Sequence, residues 1–234
     1  AVEADGSWSA ATVLNEARNI AGYSGTSNTS ALIFGGNTDY PYIFPGKTEE
    51  FNGSTWTELA NQVVARARPG SNGTATAALC FGGDPVTPFP LTHVASNEEW
   101  NGTSWTEKAN LVTALSSNVG AGGPATTTAA LCIGGGPEPS GQTTQIWDGT
   151  SWTNGGLLNI KMSDGQACGS STAALTFGGS PTPRSEDTEE WNGTSWTERA
   201  NASNKRVSGG GSGTSTSALQ FGGYDSDRVP ADKN

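Results

Sequence analysis

The stretch Glu98-Glu-Trp-Asn-Gly-Thr-Ser-Trp-Thr-Glu107 returns letter for letter at Glu189–Glu198. Looser copies read EEFNGSTWTE from Glu49 and QIWDGTSWTN from Gln145. Within it, a strand-like run ends in an aromatic ring, Asn-Gly turns the chain, and a second strand-like run opens at Ser-Trp-Thr. Asn-Gly between two such runs is a strong hairpin signal, because both residues tolerate positive φ in a type I′ turn. Asp148-Gly149 and Asp5-Gly6 are the expected substitutes for that turn.

The decapeptide sits inside a longer repeat. Its second Trp falls at Trp8, Trp56, Trp105, Trp152 and Trp196, in steps of 48, 49, 47 and 44 residues. A second marker, an apolar residue followed by Gly-Gly, falls at Phe34, Phe81, Ile133, Phe177 and Phe221. All 8 Trp belong to the repeat, three of them (Trp100, Trp147, Trp191) just before the turn, so none is left for a separate task. Each unit reads as four short strands: a Gly/Ser-rich strand, an apolar strand ending in Gly-Gly, a strand ending in Glu-Glu-Trp, and a last strand after the turn. Four antiparallel strands at this period make a propeller blade.

The expected fold is therefore all-β, a five-bladed β-propeller in one domain. Residues 1–10 supply the outer half of a closing blade. Residues 11–58, 59–107, 108–153 and 154–198 form four continuous blades, 199–223 the inner half of the closing blade, and 224–234 a tail. In this reading residues 2–8 pair beside residues 214–223 and close the ring, which removes exposed sheet edges. The glycines Gly22, Gly25, Gly73, Gly122, Gly169 and Gly211 belong on the innermost strands, where backbones crowd the axis. The Trp rings belong on the outer strands, where large side chains fill the wider gaps.

Composition narrows the function. The net charge of -10 disfavours phosphate backbones and anionic membranes. No apolar run approaches the roughly 20 residues that a helix needs to cross a bilayer. The 3 cysteines, Cys80, Cys132 and Cys168, are odd in number and widely spaced, which is neither a disulfide framework nor a zinc pattern. Adjacent carboxylates such as Glu98 and Glu99 point to opposite faces of a strand and do not converge on one substrate. One of each pair faces outward and the other meets a neighbouring base. The sequons at Asn52, Asn101 and Asn192 are explained by the turn itself.

The order Phe81-Gly82-Gly83, Glu98-Glu99-Trp100, Asn101-Gly102, Trp105 resembles the kelch repeat, in five copies over nearly the whole chain. It departs from that family in placing Trp-Asn or Trp-Asp where kelch repeats carry Tyr-Asp. The phrase WNGTSWTE followed by an A-L-x-F-G-G strand is similar to tandem repeats of marine bacteriophages, found in virion and tail-fibre-like proteins. The kelch resemblance admits a copper-radical site, but one His and four Tyr exclude that ligand set. A sialidase-like reading lacks its arginine cluster. No catalytic residues, metal ligands or cofactors are assigned.

Repeated residues mark scaffold, so a binding site is expected where repeats differ. The loops Asn37–Thr48 and Asp84–Asn97 hold Tyr40, Tyr42, Phe44, Phe89 and His93 among prolines that restrict them. Such rings either meet sugar faces or protein partners, or fold back over the rim. A second candidate is a partial basic ring of Arg18, Arg66, Lys161 and Lys205 just before the inner strands. It would meet an acidic glycan or a carboxylate, or pair with acids such as Glu58, Glu107 or Glu198. The functional expectation is a non-enzymatic virion module, a fibre, spike or decoration protein engaging a host-surface glycan or another virion protein. Virion or extracellular placement follows, with homo-oligomers or larger assemblies open and no nucleic-acid or membrane partner. A soluble five-bladed lectin or cytoplasmic interaction propeller, and a glycosidase-like carbohydrate-active enzyme, stand as alternatives.

Overall fold

The computed structural model describes residues 11–38, 45–85, 93–121, 127–136, 140–180 and 185–224. The first blade is β1 (Gly22–Ser27), β2 (Ser30–Phe34), β3 (Thr48–Phe51) and β4 (Trp56–Leu59). The second contains β6 (Gly70–Gly73), β7 (Ala78–Phe81), β9 (Asn97–Trp100) and β10 (Trp105–Lys108), with a two-residue pair, β5 (Arg66–Ala67) and β8 (Asp84–Pro85), beside it. The third is β11 (Val119–Ala121), β12 (Ala130–Ile133), β13 (Thr144–Trp147) and β14 (Trp152–Asn154). The fourth is β15 (Gln166–Ser170), β16 (Ala173–Phe177), β17 (Thr188–Trp191) and β18 (Trp196–Glu198). A hairpin, β19 (Gly210–Thr214) and β20 (Ser217–Phe221), follows. Each blade is an antiparallel meander with consecutive strands paired.

The expectation of five blades is corrected to four. The last repeat contributes a two-stranded hairpin, not a four-stranded sheet. Its second strand has no partner on its outer side among the described residues, and Leu219 and Phe221 stand 71% and 55% exposed where Leu32, Leu79, Leu131 and the aromatic residues Phe34, Phe81 and Phe177 are buried. Residues 2–8, which were expected to close the ring, lie outside the described residues.

The inner strands are small because they approach one another through the main chain. A Cβ on Gly120 would sit 2.0 Å from the carbonyl oxygen of Ser71 on the preceding blade. Gly22, Gly25, Gly73, Gly169 and Gly211 all lie on inner strands as expected; Gly122 lies outside the described residues. Further out, Trp100, Trp147 and Trp191 are fully buried. Each removes on the order of 200 Å² from water, worth on the order of 5 kcal/mol before entropy costs. Their indole N–H groups donate to the carbonyls of Ala75, Thr127 and Ser171 at 2.7–3.1 Å. Outer Trp rings bind neighbouring blades: Phe34 meets Trp105, and Phe81 meets Trp152, edge-on with centroids 4.8 and 4.9 Å apart.

The hairpin turn is longer than the two-residue form expected. Trp100 pairs with Trp105, so Asn101-Gly102-Thr103-Ser104 forms a four-residue loop. Gly102 has φ +92°, whereas Asn101 is not among the positive-φ residues. The Asn101 side chain does the work instead: its Oδ1 accepts from the amides of Thr103 and Ser104, both at 2.9 Å. Asp148 makes the same contacts, and the amides of Ser151 and Thr150 hold its carboxyl below the usual range. A depressed folded pKa stabilises the fold above the unfolded value, about 3.9, and that contribution is lost as pH falls through the folded one. Urea unfolding at stepped pH should therefore show wild type losing ground to Asp148→Asn in acid. A difference that stays flat below about pH 4 contradicts this account.

The two Glu of the repeat divide as strand parity dictates. Glu98 is fully buried and ion-paired with the equally buried Arg66, which also donates to the carbonyls of Gly82 and Ser96. Glu98 also accepts from the amides of Val63 and Val64. Arg18 and Glu49 repeat this in the first blade. The partners are thus Glu49 and Glu98 of the same blade, rather than Glu58, Glu107 or Glu198. Glu99 points the other way, to Lys108 at 2.6 Å. Partial burial opposes its ionisation, but bonds from Lys108 and Thr127 hold its carboxyl below the usual range. In the third blade the buried pair is replaced by neutral residues: Leu115 stands for the Arg, and Gln145 accepts from the amides of Val112 and Thr113. We therefore expect Arg66→Leu alone to cost about 3–5 kcal/mol, because Glu98 is left buried without its cation. The double variant Arg66→Leu/Glu98→Gln should recover most of that loss in denaturant titrations.

Candidate functional site

Two sets of backbone hydrogen bonds join successive units at one end of the axis. In the first, the amide of the second glycine of the first four Gly-Gly pairs donates to the next unit: Gly36 to Arg66, Gly83 to Leu115, Gly135 to Met162 and Gly179 to Arg206, at 2.7–2.9 Å. In the second, the amides of Arg68, Ser117, Asp164 and Ser208 donate to the carbonyls of Ile20, Arg68, Ser117 and Asp164, at 2.8–3.2 Å. These five linked residues form a belt. They are also the non-glycine residues with positive φ among those described, at 47–55°. A backbone held there costs on the order of 1–3 kcal/mol per residue, and the same departure recurs at every residue that the belt bonds link.

The residue after each belt position, Ala21, Pro69, Asn118, Gly165 or Gly209, begins the wall of a central channel of about 470 Å³. That volume lies within the range of small-ligand pockets, about 300–1,000 Å³. Main chain and neutral side chains such as Tyr23, Asn72, Ser212 and Thr214 form its wall, which carries no charged side chain among the described residues. The belt therefore rims one mouth of the channel. Its backbone repeats while its side chains differ in every unit but two: Ile20, Arg68, Ser117, Asp164 and Ser208.

One unit adds a charged cluster to this mouth. Asp84, on β8, is 1% exposed and pairs in register with Ala67 on β5. Its Oδ2 accepts from Arg68 Nη1 at 3.1 Å, and its Oδ1 lies 2.8 Å from His93 Nδ1. The Asp84 position is Asn37, Gly136, Ser180 or Tyr224 in the other units, as the bridges Asn19–Asn37, Ser116–Gly136, Ser163–Ser180 and Val207–Tyr224 show.

Of the expected site residues, Tyr40, Tyr42, Phe44 and Phe89 lie outside the described residues, and His93 is the member of the aromatic loops that is placed. The four basic residues are not brought into one ring. Arg18 and Arg66 are buried within their blades. Counting from the belt, the equivalent positions in the fourth and fifth units are Met162 and Arg206, so Lys161 and Lys205 sit one residue earlier and exposed. Sequence reasoning passed over Arg68 and Asp84 because neither repeats. Their signal is that lack of repetition at a position whose backbone recurs.

Among the described residues no group of three or more His, Cys, Asp or Glu stands close enough to share a metal ion. Among them, too, no helix is long and apolar enough to cross a membrane. Burial pushes the Cys80 thiol up to about 12 and the Cys168 thiol up to about 11. Neither supplies a thiolate near neutral pH.

The arrangement of blades around a channel is that of a β-propeller. No protein-family model matches the chain, and no curated protein matches it. Among solved structures it is similar to YjhT, with a TM-score of 0.75 and 13% identity over 91% of this chain and 79% of that one. Likeness at that identity shows the shared fold alone.

The belt makes its own prediction. Ser117→Gly removes the Cβ that resists positive φ and leaves the belt bonds in place. The variant should gain up to about 1 kcal/mol in chemical unfolding. A loss of that size would mean that the serine hydroxyl, not the main chain, sustains the belt.

Proposed function

We propose that this chain is a non-enzymatic binding module, with the repeat as scaffold and the belt mouth as recognition surface. The observation that carries this reading is the contrast at the mouth: five positions share one backbone conformation and one bonding pattern, yet present Ile, Arg, Ser, Asp and Ser. A purely structural belt gains nothing from that variety. The repeated acids offer no catalytic pair to set against it, since Glu98 is spent on Arg66 and Glu99 on Lys108 across opposite faces.

The setting we propose is the surface of a phage particle, as a fibre, spike or decoration protein meeting a host-surface glycan or another virion protein. Support for that setting is the wording of the repeat, which is similar to virion repeats of marine bacteriophages. A second reading, a soluble lectin, is favoured by the neutral, hydroxyl- and amide-lined channel, which suits a small uncharged polar ligand. Purified protein on a printed glycan array, with mass spectrometry of the bound glycans, tests both. Retention of at least one glycan class in intact form is expected, reduced by Asp164→Lys at the mouth. Cleaved glycans would replace the reading with a carbohydrate-active enzyme. A blank array together with no retention on host cells or particles would overturn it.

A further inference from the structure

The Arg68–Asp84–His93 cluster is built as a receptor, and its chemistry specifies what it receives. Asp84 is nearly inaccessible, while the side chains of His93 and Arg68 are 21% and 39% exposed. A carboxylate oxygen only accepts, so the 2.8 Å contact places the proton of a neutral imidazole on Nδ1. The Nε2 lone pair is then left as an acceptor. Arg68 engages Asp84 through Nη1, and a guanidinium keeps further N–H donors at Nε and Nη2 in fixed directions. One buried carboxylate, with one oxygen on each partner, thus orients a ring that keeps an acceptor and a guanidinium that keeps donors at the rim of the mouth.

We propose that this pair binds a vicinal diol of a neutral sugar, one hydroxyl donating to His93 Nε2 and its neighbour accepting from the Arg68 guanidinium. A hydroxyl gives one hydrogen and offers lone pairs, so two adjacent hydroxyls match an acceptor beside a donor. A carboxylate ligand does not match. It would satisfy Arg68 but confront the Nε2 lone pair and the charge of Asp84, unless the imidazole gained a second proton. Among the described residues, Asp84 contacts the ring and Arg68 contacts Asp84, and the same blade buries the Arg66–Glu98 pair. The sequence between Pro85 and His93 holds no ionisable side chain. This inference rests on the binding-module reading and names the ligand class for one part of its surface.

His93 is the only histidine of the chain, so its ring nitrogens are an unambiguous reporter. Protein labelled with nitrogen-15 histidine is titrated at about pH 8, above the ordinary imidazole range, with methyl mannopyranoside, methyl galactopyranoside or acetate. The protonated nitrogen should be Nδ1. At least one glycoside should move the Nε2 resonance with a Kd on the order of 1 mM, while acetate leaves it in place. Arg68→Met should weaken the glycoside about tenfold, and Arg68→Lys, which keeps charge without the fork, should fall between. Tryptophan fluorescence reports whether each variant is folded. A proton found on Nε2, silence with both glycosides, or a response to acetate alone overturns the proposal. Array binding that survives His93→Gln removes this site and leaves the module reading intact. A shifted Nε2 beside a blank array does the reverse.

Discussion

Each of the four junctions between successive units is held by two main-chain hydrogen bonds that run in opposite senses. A glycine amide reaches forward to the next unit, and a belt amide reaches back to the previous one. The forward bond explains the Gly-Gly of the repeat. Gly82 has φ +65°, and a Cβ there would lie 2.4 Å from the Leu115 carbonyl, so no other residue lets the strand end turn onto its neighbour. The backward bond explains why Ile20, a β-branched residue, accepts φ 47°. Given these junctions, the inner strands must crowd, and the outer strands must diverge. Indole rings then become the natural filling of the outer gap.

Within a blade the same economy of means is met by different chemistry. Arg66 and Glu98 bury full charges, and their attraction must overcome a desolvation cost of several kcal/mol per ion. Leu115 and Gln145 bury none and leave the blade in the same shape. What is constant is the acceptor: Glu49, Glu98, Gln145 and Glu189 each take amide protons from the segment that leads to the belt. That acceptor pins the segment, and the belt follows from it. An arginine stands beside the acceptor in the first two blades, whereas Leu115 takes its place beside Gln145 and Met162 takes its place in the blade of Glu189, which is held by Asn159 and the amide of Ile160.

Much of this was legible in the sequence, and the limits have physical causes. Period, strand order, the inner glycines and the space-filling Trp pair all follow from local pattern, and the structure places those among the described residues as read, with Gly122 and Trp8 outside them. The number of complete blades did not follow, because a repeat in sequence does not say whether a strand finds a partner. The Asn-Gly turn was placed correctly but given the wrong form, since side-chain acceptance by Asn101 and Asp148 competes with a two-residue turn and wins. Sequence pattern puts Arg66 in a basic ring, and the structure buries it, because its partner Glu98 is 32 residues away and only folding joins them. Arg68 and Asp84 were invisible for the opposite reason: motif reading rewards recurrence, and these residues matter at positions that do not recur.

The glycines of the inner strands have a consequence at some distance from themselves. With Gly120 against the Ser71 carbonyl, the spacing of neighbouring blades is set by backbone meeting backbone. The belt residues ride on those strands, so the spans across the mouth are a fixed gauge. Side chains can be exchanged at Ile20, Arg68, Ser117, Asp164 and Ser208 without altering the intervals between them. The mouth is in that sense a socket of constant bore, and the molecule can be re-keyed to a new ligand by changing its teeth while its barrel stays as it is.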